Sequence, residues 1–364
     1  MVTFSPLDHQ MMSRALRIAR KGTNTCTPNP IVGCVLVAAS GDVIAEGFHQ
    51  RAGEAHAEAA AIQTAAAQSI SLSGATAYVT LEPCSHTGRT GPCCDALIEA
   101  GVSKLVYGME DPNPNVSGRG LQKLKEAGIE IVGPFMEDSA RELNPGFLKR
   151  MQTGIPFIRI KSAMSIDART AMKSGESKWI TSPKAREDVQ RLRARSCAVI
   201  TGVSSVIHDD PALTVRLSDE DRQPLRVILD SKGRCPIKAE MFSQPGRTII
   251  VSCIEWEVPE GAELWVLPEH NDRVKLSALM ERLAQEGCNE VLVETGATLA
   301  GAFVGAGLVD QFIIYMAPKF LGSDARPLFE LPIKTMSGSL PLIIKDIRPV
   351  GCDWRICAEP DPDS

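Results

Sequence analysis

Two series of alternating helical and extended patterns, separated by a single break, limit what this 364-residue chain can fold into. In the first series, Leu7 to Lys21 places Met11, Met12, Ala15, Leu16, Ile18 and Ala19 on one broad helical face. The apolar runs Ile31–Ala38 and Val43–His49 flank the turn residues Ser40-Gly41-Asp42 and read as a hairpin. His56–Gln68 is alanine-rich and helical, and Ala75–Leu81 and Lys104–Gly108 read as strands around a helix from Pro92 to Ala100. Gly118–Ala127 predicts a helix with Gly128 as its stop signal, followed by a strand at Ile129–Val132 and a helix over Ser139–Arg150. Helices alternating with strands in this way predict a three-layer α/β/α domain.

Gly154 and Pro156 punctuate the pattern, so residues 151–156 read as a linker between a domain over 1–150 and another over 157–364. The second series has strand patterns at Phe157–Ala163, Ala198–Gly202, Leu225–Asp230, Thr248–Ser252, Leu264–Leu267, Glu290–Glu294 and Gln311–Met316. Ser182–Arg195, Lys275–Gln285 and Gly296–Gly305 read as helices, which makes this a second α/β domain. The acidic, proline-interrupted tail Glu359–Ser364 is expected to fray.

A formal charge of −5, with acids and bases interspersed, gives no basic surface for nucleic acid. No apolar run approaches the roughly 18–20 residues that span a bilayer. The first ten residues lack a basic-then-apolar leader pattern. Eleven scattered cysteines therefore read as reduced thiols in the cytoplasm rather than as a disulfide scaffold. A homo-oligomer acting on small molecules is expected.

The chemistry concentrates at His56-Ala57-Glu58, Pro83-Cys84 and Cys93. One imidazole and two thiolates bind zinc tetrahedrally and leave the fourth position to water, the pattern of a catalytic site. The metal draws the pKa of that water toward neutrality. Glu58, near a helix start and two residues from His56, is placed to move protons between water, ring and leaving ammonia. The zinc deaminase signature is H-x-E followed by P-C-x-x-C. Here eight residues, Ser85 to Pro92, separate Cys84 from Cys93. Spacing alone leaves Cys94 an equal candidate for the third ligand.

These motifs do not stand alone. Thr27-Pro-Asn-Pro-Ile-Val-Gly33, Gly53-Glu-Ala-His-Ala-Glu58, Tyr78-Val-Thr-Leu-Glu-Pro-Cys-Ser-His86, Gly88-Arg-Thr90 and Asp111-Pro-Asn-Pro114 resemble the bifunctional riboflavin-biosynthesis deaminase/reductase family. The likeness continues through Gly146–Met151, Gly175–Ser182, Asp209–Arg216, Val293–Ala302 and Ala317–Gly322, nearly the whole chain. It implies a cytidine-deaminase-like N-terminal domain and a dihydrofolate-reductase-like C-terminal domain, with Zn2+ and NADPH as cofactors. It favours Cys93 as third ligand and implies that Asn29, His49, His86 and Arg89 contact a phosphoribosylaminopyrimidine.

The second half has neither a G-x-G-x-x-G fingerprint nor a Walker loop. Glu294-Thr-Gly-Ala-Thr-Leu-Ala-Gly301 reads as a strand end, a glycine turn and a helix start, whose free N–H groups suit a phosphate. The resemblance puts NADPH on Ala163, Trp179, Ser205, Asp209, Ser231 and the turn Gly296, Ala297, Thr298, Leu299, Ala300, Gly301 and Ala302. It puts substrate on Ser177, Arg193, Leu213, Arg216 and Glu294, with the two arginines as phosphate clamps. The chain departs from the family's usual Ser-Leu-Asp-Gly, reading Ser165-Ile-Asp-Ala168 after Met164, where a small residue is common, and the departure at Ala168 matters most. Ala168 is strained if that position needs a positive φ. Two rival readings are a nucleoside or tRNA deaminase with an inert appendage, and a metal-retaining binding protein without chemistry.

Overall fold

The computed structural model describes residues 3–85, 91–113, 117–218 and 222–363. The chain divides into two compact units, Met1–Gly154 and Ile155–Ser364.

In the first unit the order is α1 (Pro6–Ala19), β1 (Gly33–Val37), β2 (Val43–Phe48), α2 (Ala57–Ala67), β3 (Thr76–Val79), α3 (Cys93–Glu99), β4 (Lys104–Tyr107), α4 (Arg119–Glu126), β5 (Glu130–Val132), α5 (Glu137–Leu143) and α6 (Pro145–Thr153). The sheet order is β2-β1-β3-β4-β5, antiparallel across β1 and parallel from β3 onward. Helix α1 packs on β1 and α5, while α2, α3 and α4 pack in succession. Helices therefore cover both faces, and β1 is buried along its whole length. Gly47 sets how closely α2 approaches: a Cβ there would lie 2.2 Å from the Ala57 carbonyl oxygen. That contact seats the first turn of α2, with His56 as N-cap and Glu58 inside, against the sheet.

The helix expected over Ser139–Arg150 is two helices. Pro145 has no N–H to continue α5 and instead opens α6 at its first position. Helix α6 then runs to Thr153, so the first three residues of the expected linker are helical, and Gly154, at φ 75°, ends it.

The second unit runs β6 (Phe157–Ser165), β7 (Arg169–Ala171), α7 (Pro183–Arg195), β8 (Ala198–Gly202), α8 (Val203–Asp209), β9 (Leu225–Leu229), β10 (Thr248–Ser252), β11 (Ala262–Val266), β12 (Glu269–His270), β13 (Arg273–Val274), α9 (Leu276–Gln285), β14 (Glu290–Glu294), α10 (Ala297–Gly305), β15 (Gln311–Ala317), β16 (Arg326–Pro327), β17 (Leu342–Val350) and β18 (Asp353–Pro360). Its nine-stranded sheet has the order β11-β10-β9-β8-β14-β6-β15-β18-β17. The strands from β11 to β15 are parallel, and the β17–β18 hairpin adds antiparallel to β15.

Alternate residues of the parallel strands serve opposite cores. Val199, Ile228, Ile250 and Leu292 face one, with Val203 and Val206 of α8. Ile200, Val227, Ile249 and Val291 face the other, with Leu279 and Met280 of α9 and Phe303 of α10. The tail does not fray where expected: Glu359 and Pro360 belong to β18, paired with Ile343 and Leu342.

Candidate active sites

His56, Cys84 and Cys93 converge, with their ligand atoms all within 4.8 Å of one another. The Cys84 and Cys93 sulfurs lie 3.5 and 3.4 Å from His56 Nδ1. Tetrahedral zinc with Zn–N about 2.1 Å and Zn–S about 2.3 Å requires N···S separations of roughly 3.6 Å, so the donor set fits the metal. Cys84 is drawn down to about 4 by a hydrogen bond from Cys93 and by His56, against the effect of burial. Cys93 is pushed well above the usual thiol range, first by its hydrogen bond to Cys84 and then by burial. A dication is the natural counterion for such a pair. Cys94 is turned elsewhere: its thiol donates to the Pro83 and Gly120 carbonyls at 3.3 and 3.5 Å.

Glu58 is 3% exposed, and burial followed by the charge on Cys84 raises its carboxyl to about 7. It also shares a hydrogen bond with Cys93. Such a group exchanges protons near neutral pH.

Asn29 and His49 border the cluster. The His49 ring stands edge-on to His56, with centroids 5.1 Å apart. His49 Nδ1 is 3.0 Å from the Ala55 carbonyl, which can only accept, so Nδ1 carries the proton. Nε2 is then free to accept from Asn29 Nδ2 at 2.9 Å. Burial lowers the pKa of His49 and favours this neutral tautomer. His86 and Arg89 lie outside the described residues.

Sequence reading missed Glu82. Its buried carboxylate accepts from the backbone N–H groups of Asp111, Gly118, Gly120 and Leu121, at 3.0–3.4 Å. It thereby ties the residues before Cys84 to the start of α4. The only sequence signal is a glutamate beside a ligand motif.

In the second unit Ala163, Ser205, Asp209, Ser231, Glu294 and Gly296 lie at or just past the carboxyl ends of parallel strands, where open α/β sheets bind ligands. Ala163 lies near the end of β6, Glu294 ends β14, Ser205 and Asp209 belong to α8 directly after β8, and Ser231 follows β9. Gly296 caps α10 with no side-chain cap, and a Cβ there would meet open space. The N–H groups of Ala297, Thr298 and Leu299 are the first of α10 and fit a phosphate. Ala300, Gly301 and Ala302 lie deeper in the helix, and Gly301 admits close passage of the chain at Glu330, whose carbonyl oxygen a Cβ would meet at 2.1 Å.

Arg193 follows Val189 by four residues on the buried side of α7. It grips Glu294 at 2.6 and 3.1 Å and donates to the Thr214 carbonyl at 3.1 Å. Lys161 also reaches Glu294, at 3.5 Å. The expected role of Arg193 as a phosphate clamp does not match this geometry, because its charge is neutralised by Glu294. Arg216 is exposed, and its backbone N–H bonds Gln190.

Ser177 donates to Asp209 at 3.1 Å, and Lys178 to the Asp209 carbonyl at 2.9 Å. Trp179 is 64% exposed under the Arg186 guanidinium, 4.4 Å from its ring centre, and is not a core residue. Ser231 accepts from the Val274 N–H. Ala168 has φ 57°, and Asp210 and Leu213 have φ 41° and 50°. Strain of this kind collects at functional sites.

The RibD C-terminal domain model matches residues 156–356, and the cytidine and deoxycytidylate deaminase zinc-binding region matches residues 5–109. The chain belongs to the RibD family. It is 50% identical over 361 residues to the riboflavin biosynthesis protein RibD of Escherichia coli (strain K12), covering 95% of this chain and 97% of that protein. It is 45% identical to the Haemophilus influenzae RibD, with 99% of each covered. Among solved structures, Acinetobacter baumannii RibD (form 1) superposes with a TM-score of 0.90 at 43% identity, covering 98% of this chain and 99% of that one. A diaminohydroxyphosphoribosylaminopyrimidine deaminase/5-amino-6-(5-phosphoribosylamino)uracil reductase from Thermotoga maritima gives 0.90 at 33%, with the same coverage. RibD proteins join a zinc-binding deaminase domain to a reductase domain that uses NADPH, and both activities belong to this chain.

Proposed function

We propose that the chain performs two successive steps of riboflavin biosynthesis. Residues 1–150 deaminate 2,5-diamino-6-(5-phosphoribosylamino)pyrimidin-4-one to 5-amino-6-(5-phosphoribosylamino)uracil. Residues 157–364, after the 151–156 connection, reduce its ribosyl group to ribityl. The convergence of His56, Cys84 and Cys93 beside buried Glu58 carries this reading.

His56, Cys84 and Cys93 would hold zinc, which supplies Lewis-acid activation of water at neutral pH. Glu58 takes the proton of the attacking water and returns it to the departing amine. A C–O bond forms at the ring carbon, the C–N bond breaks, and ammonia leaves. Asn29 and His49 orient the ring edge, and His86 and Arg89 are assigned to the substrate by family position, their side chains being suited to its phosphate. In the reductase, NADPH would lie on Ala163, Trp179, Ser205, Asp209, Ser231 and Gly296–Ala302, and supplies the hydride. Ser177, Leu213, Arg216 and Glu294 face substrate, with Arg193 holding Glu294 and Arg216 serving the phosphate.

Leu342, Ile343, Ile344 and Ile347 are exposed along β17, which supports assembly with a second copy. Among the described residues no two cysteines form a disulfide, which supports a reducing, cytoplasmic location. Among the described residues no helix is long and apolar enough to cross a membrane.

Chelation tests the deaminase assignment. Metal-free protein should release no ammonia yet still oxidise NADPH on the deaminated substrate, and added zinc should restore release. Ammonia release without metal would refute the assignment.

A further inference from the structure

The stretch Thr27–Val32 leads into β1 through two prolines, Pro28 and Pro30, neither of which can donate a hydrogen bond. The Asn29 N–H bonds the Cys26 carbonyl at 3.0 Å. Ile31 is buried, so its N–H and carbonyl both need protein partners. One side chain, 113 residues away, supplies both. Asn144 Oδ1 accepts from the Ile31 N–H at 2.7 Å, and Asn144 Nδ2 donates to the Ile31 carbonyl at 2.9 Å.

Asn144 is 4% exposed at the junction of α5 and α6. Further along α6, Arg150 donates to the Pro28 carbonyl at 3.1 Å. The start of α6 and its sixth residue thus hold the stretch on both sides of Asn29. The amide of Asn29 meets His49 Nε2, and the backbone N–H of His49 bonds the Val32 carbonyl at 3.1 Å.

We infer that Asn144, with Arg150, is a positioning residue for the deamination step. It fixes where the Asn29 amide stands against His49 and the zinc ligands without itself touching substrate. This rests on Asn29 being a substrate contact, as proposed above. An amide presents a donor and an acceptor on one edge, as a neighbouring strand's backbone does, whereas a carboxylate offers only acceptors. Displacing a contact made equally to the bound substrate and to the transition state raises KM.

The experiment is a double-mutant cycle on the full-length, zinc-loaded protein, following ammonia release against the concentration of the diaminopyrimidine phosphate. Asn144→Ala should raise KM about tenfold, leaving zinc content and NADPH oxidation on the deaminated substrate unchanged. In an Asn29→Ala background the same change should add less than about twofold, because coupled residues are non-additive. Arg150→Met removes the outer contact on the surface of α6 and should give a smaller rise with the same non-additivity; it decides the matter if Asn144→Ala does not fold. Equal factors in both backgrounds overturn the inference alone. An inert Asn29→Ala overturns the proposed contact and the inference with it.

Discussion

Arg193 holds Glu294 by both carboxylate oxygens at the carboxyl end of β14. Burial raises the Glu294 carboxyl, but Arg193 and then Lys161 outweigh it and hold it at about 2. Both side chains are nearly buried, so removing Arg193 leaves a buried charge that Lys161, at 3.5 Å, compensates only in part. Arg193→Ala should therefore cost about 3–5 kcal/mol in urea unfolding of the second unit and abolish NADPH oxidation. Ammonia release should survive under native conditions.

The same pair sets an acid limit. Glu290 is also held at about 2: burial raises it, and Arg159 and Arg195 more than compensate. Both carboxylates titrate below their ordinary value of 4.5, so their stabilisation is complete above pH 4.5 and is lost as pH falls toward 2. Unfolding midpoints of the reductase unit should fall across that window. A flat profile would show that the two carboxylates are not held in this way.

Ala168 occupies left-handed space in the turn after β6, bonded through its N–H to the Ser165 carbonyl. A side chain there costs about 1–2 kcal/mol relative to glycine. Ala168→Gly should raise reductase stability by about 1 kcal/mol, after the extra flexibility of glycine in the unfolded chain is subtracted. Thermal unfolding reads this directly.

Cys93 and Cys94 should separate cleanly. Cys93→Ala should lose stoichiometric zinc and ammonia release. Cys94→Ala should keep both, costing roughly 1 kcal/mol of packing for a small buried side chain. Metal analysis of the two purified variants decides this.

Much of the fold was legible because burial imposes period. The runs at Ala198–Gly202, Thr248–Ser252 and Glu290–Glu294 are strands over those same residues. Helix α8 escaped notice because Val203, Val206 and Ile207 follow a strand and themselves favour extended structure. The β17–β18 hairpin was hidden by the bulge at Ile344/Asp346, by Pro349 and by exposure along β17, which erase alternation. The metal cluster was legible because its chemistry needs particular residue types close together. Glu82 and Asn144 were not, because their partners are backbone groups that any residue supplies. Arg193 was identified, but its partner Glu294, 101 residues away, could not be read from sequence.

Glu58 is buried against the ligand set and titrates near neutrality. Glu58→Gln should retain zinc, since the three ligands are untouched, and lower ammonia release by at least about a hundredfold. NADPH oxidation on the deaminated substrate should be unchanged.

The most direct measurement is mass analysis of products from pure protein and the diaminopyrimidine phosphate, with and without NADPH. Without NADPH, a single product should form in which oxygen replaces the ring amine. With NADPH, a second product should carry two further hydrogens and keep its phosphate. Unchanged substrate in both reactions, or a deaminated product that NADPH never converts, would contradict the two-step assignment.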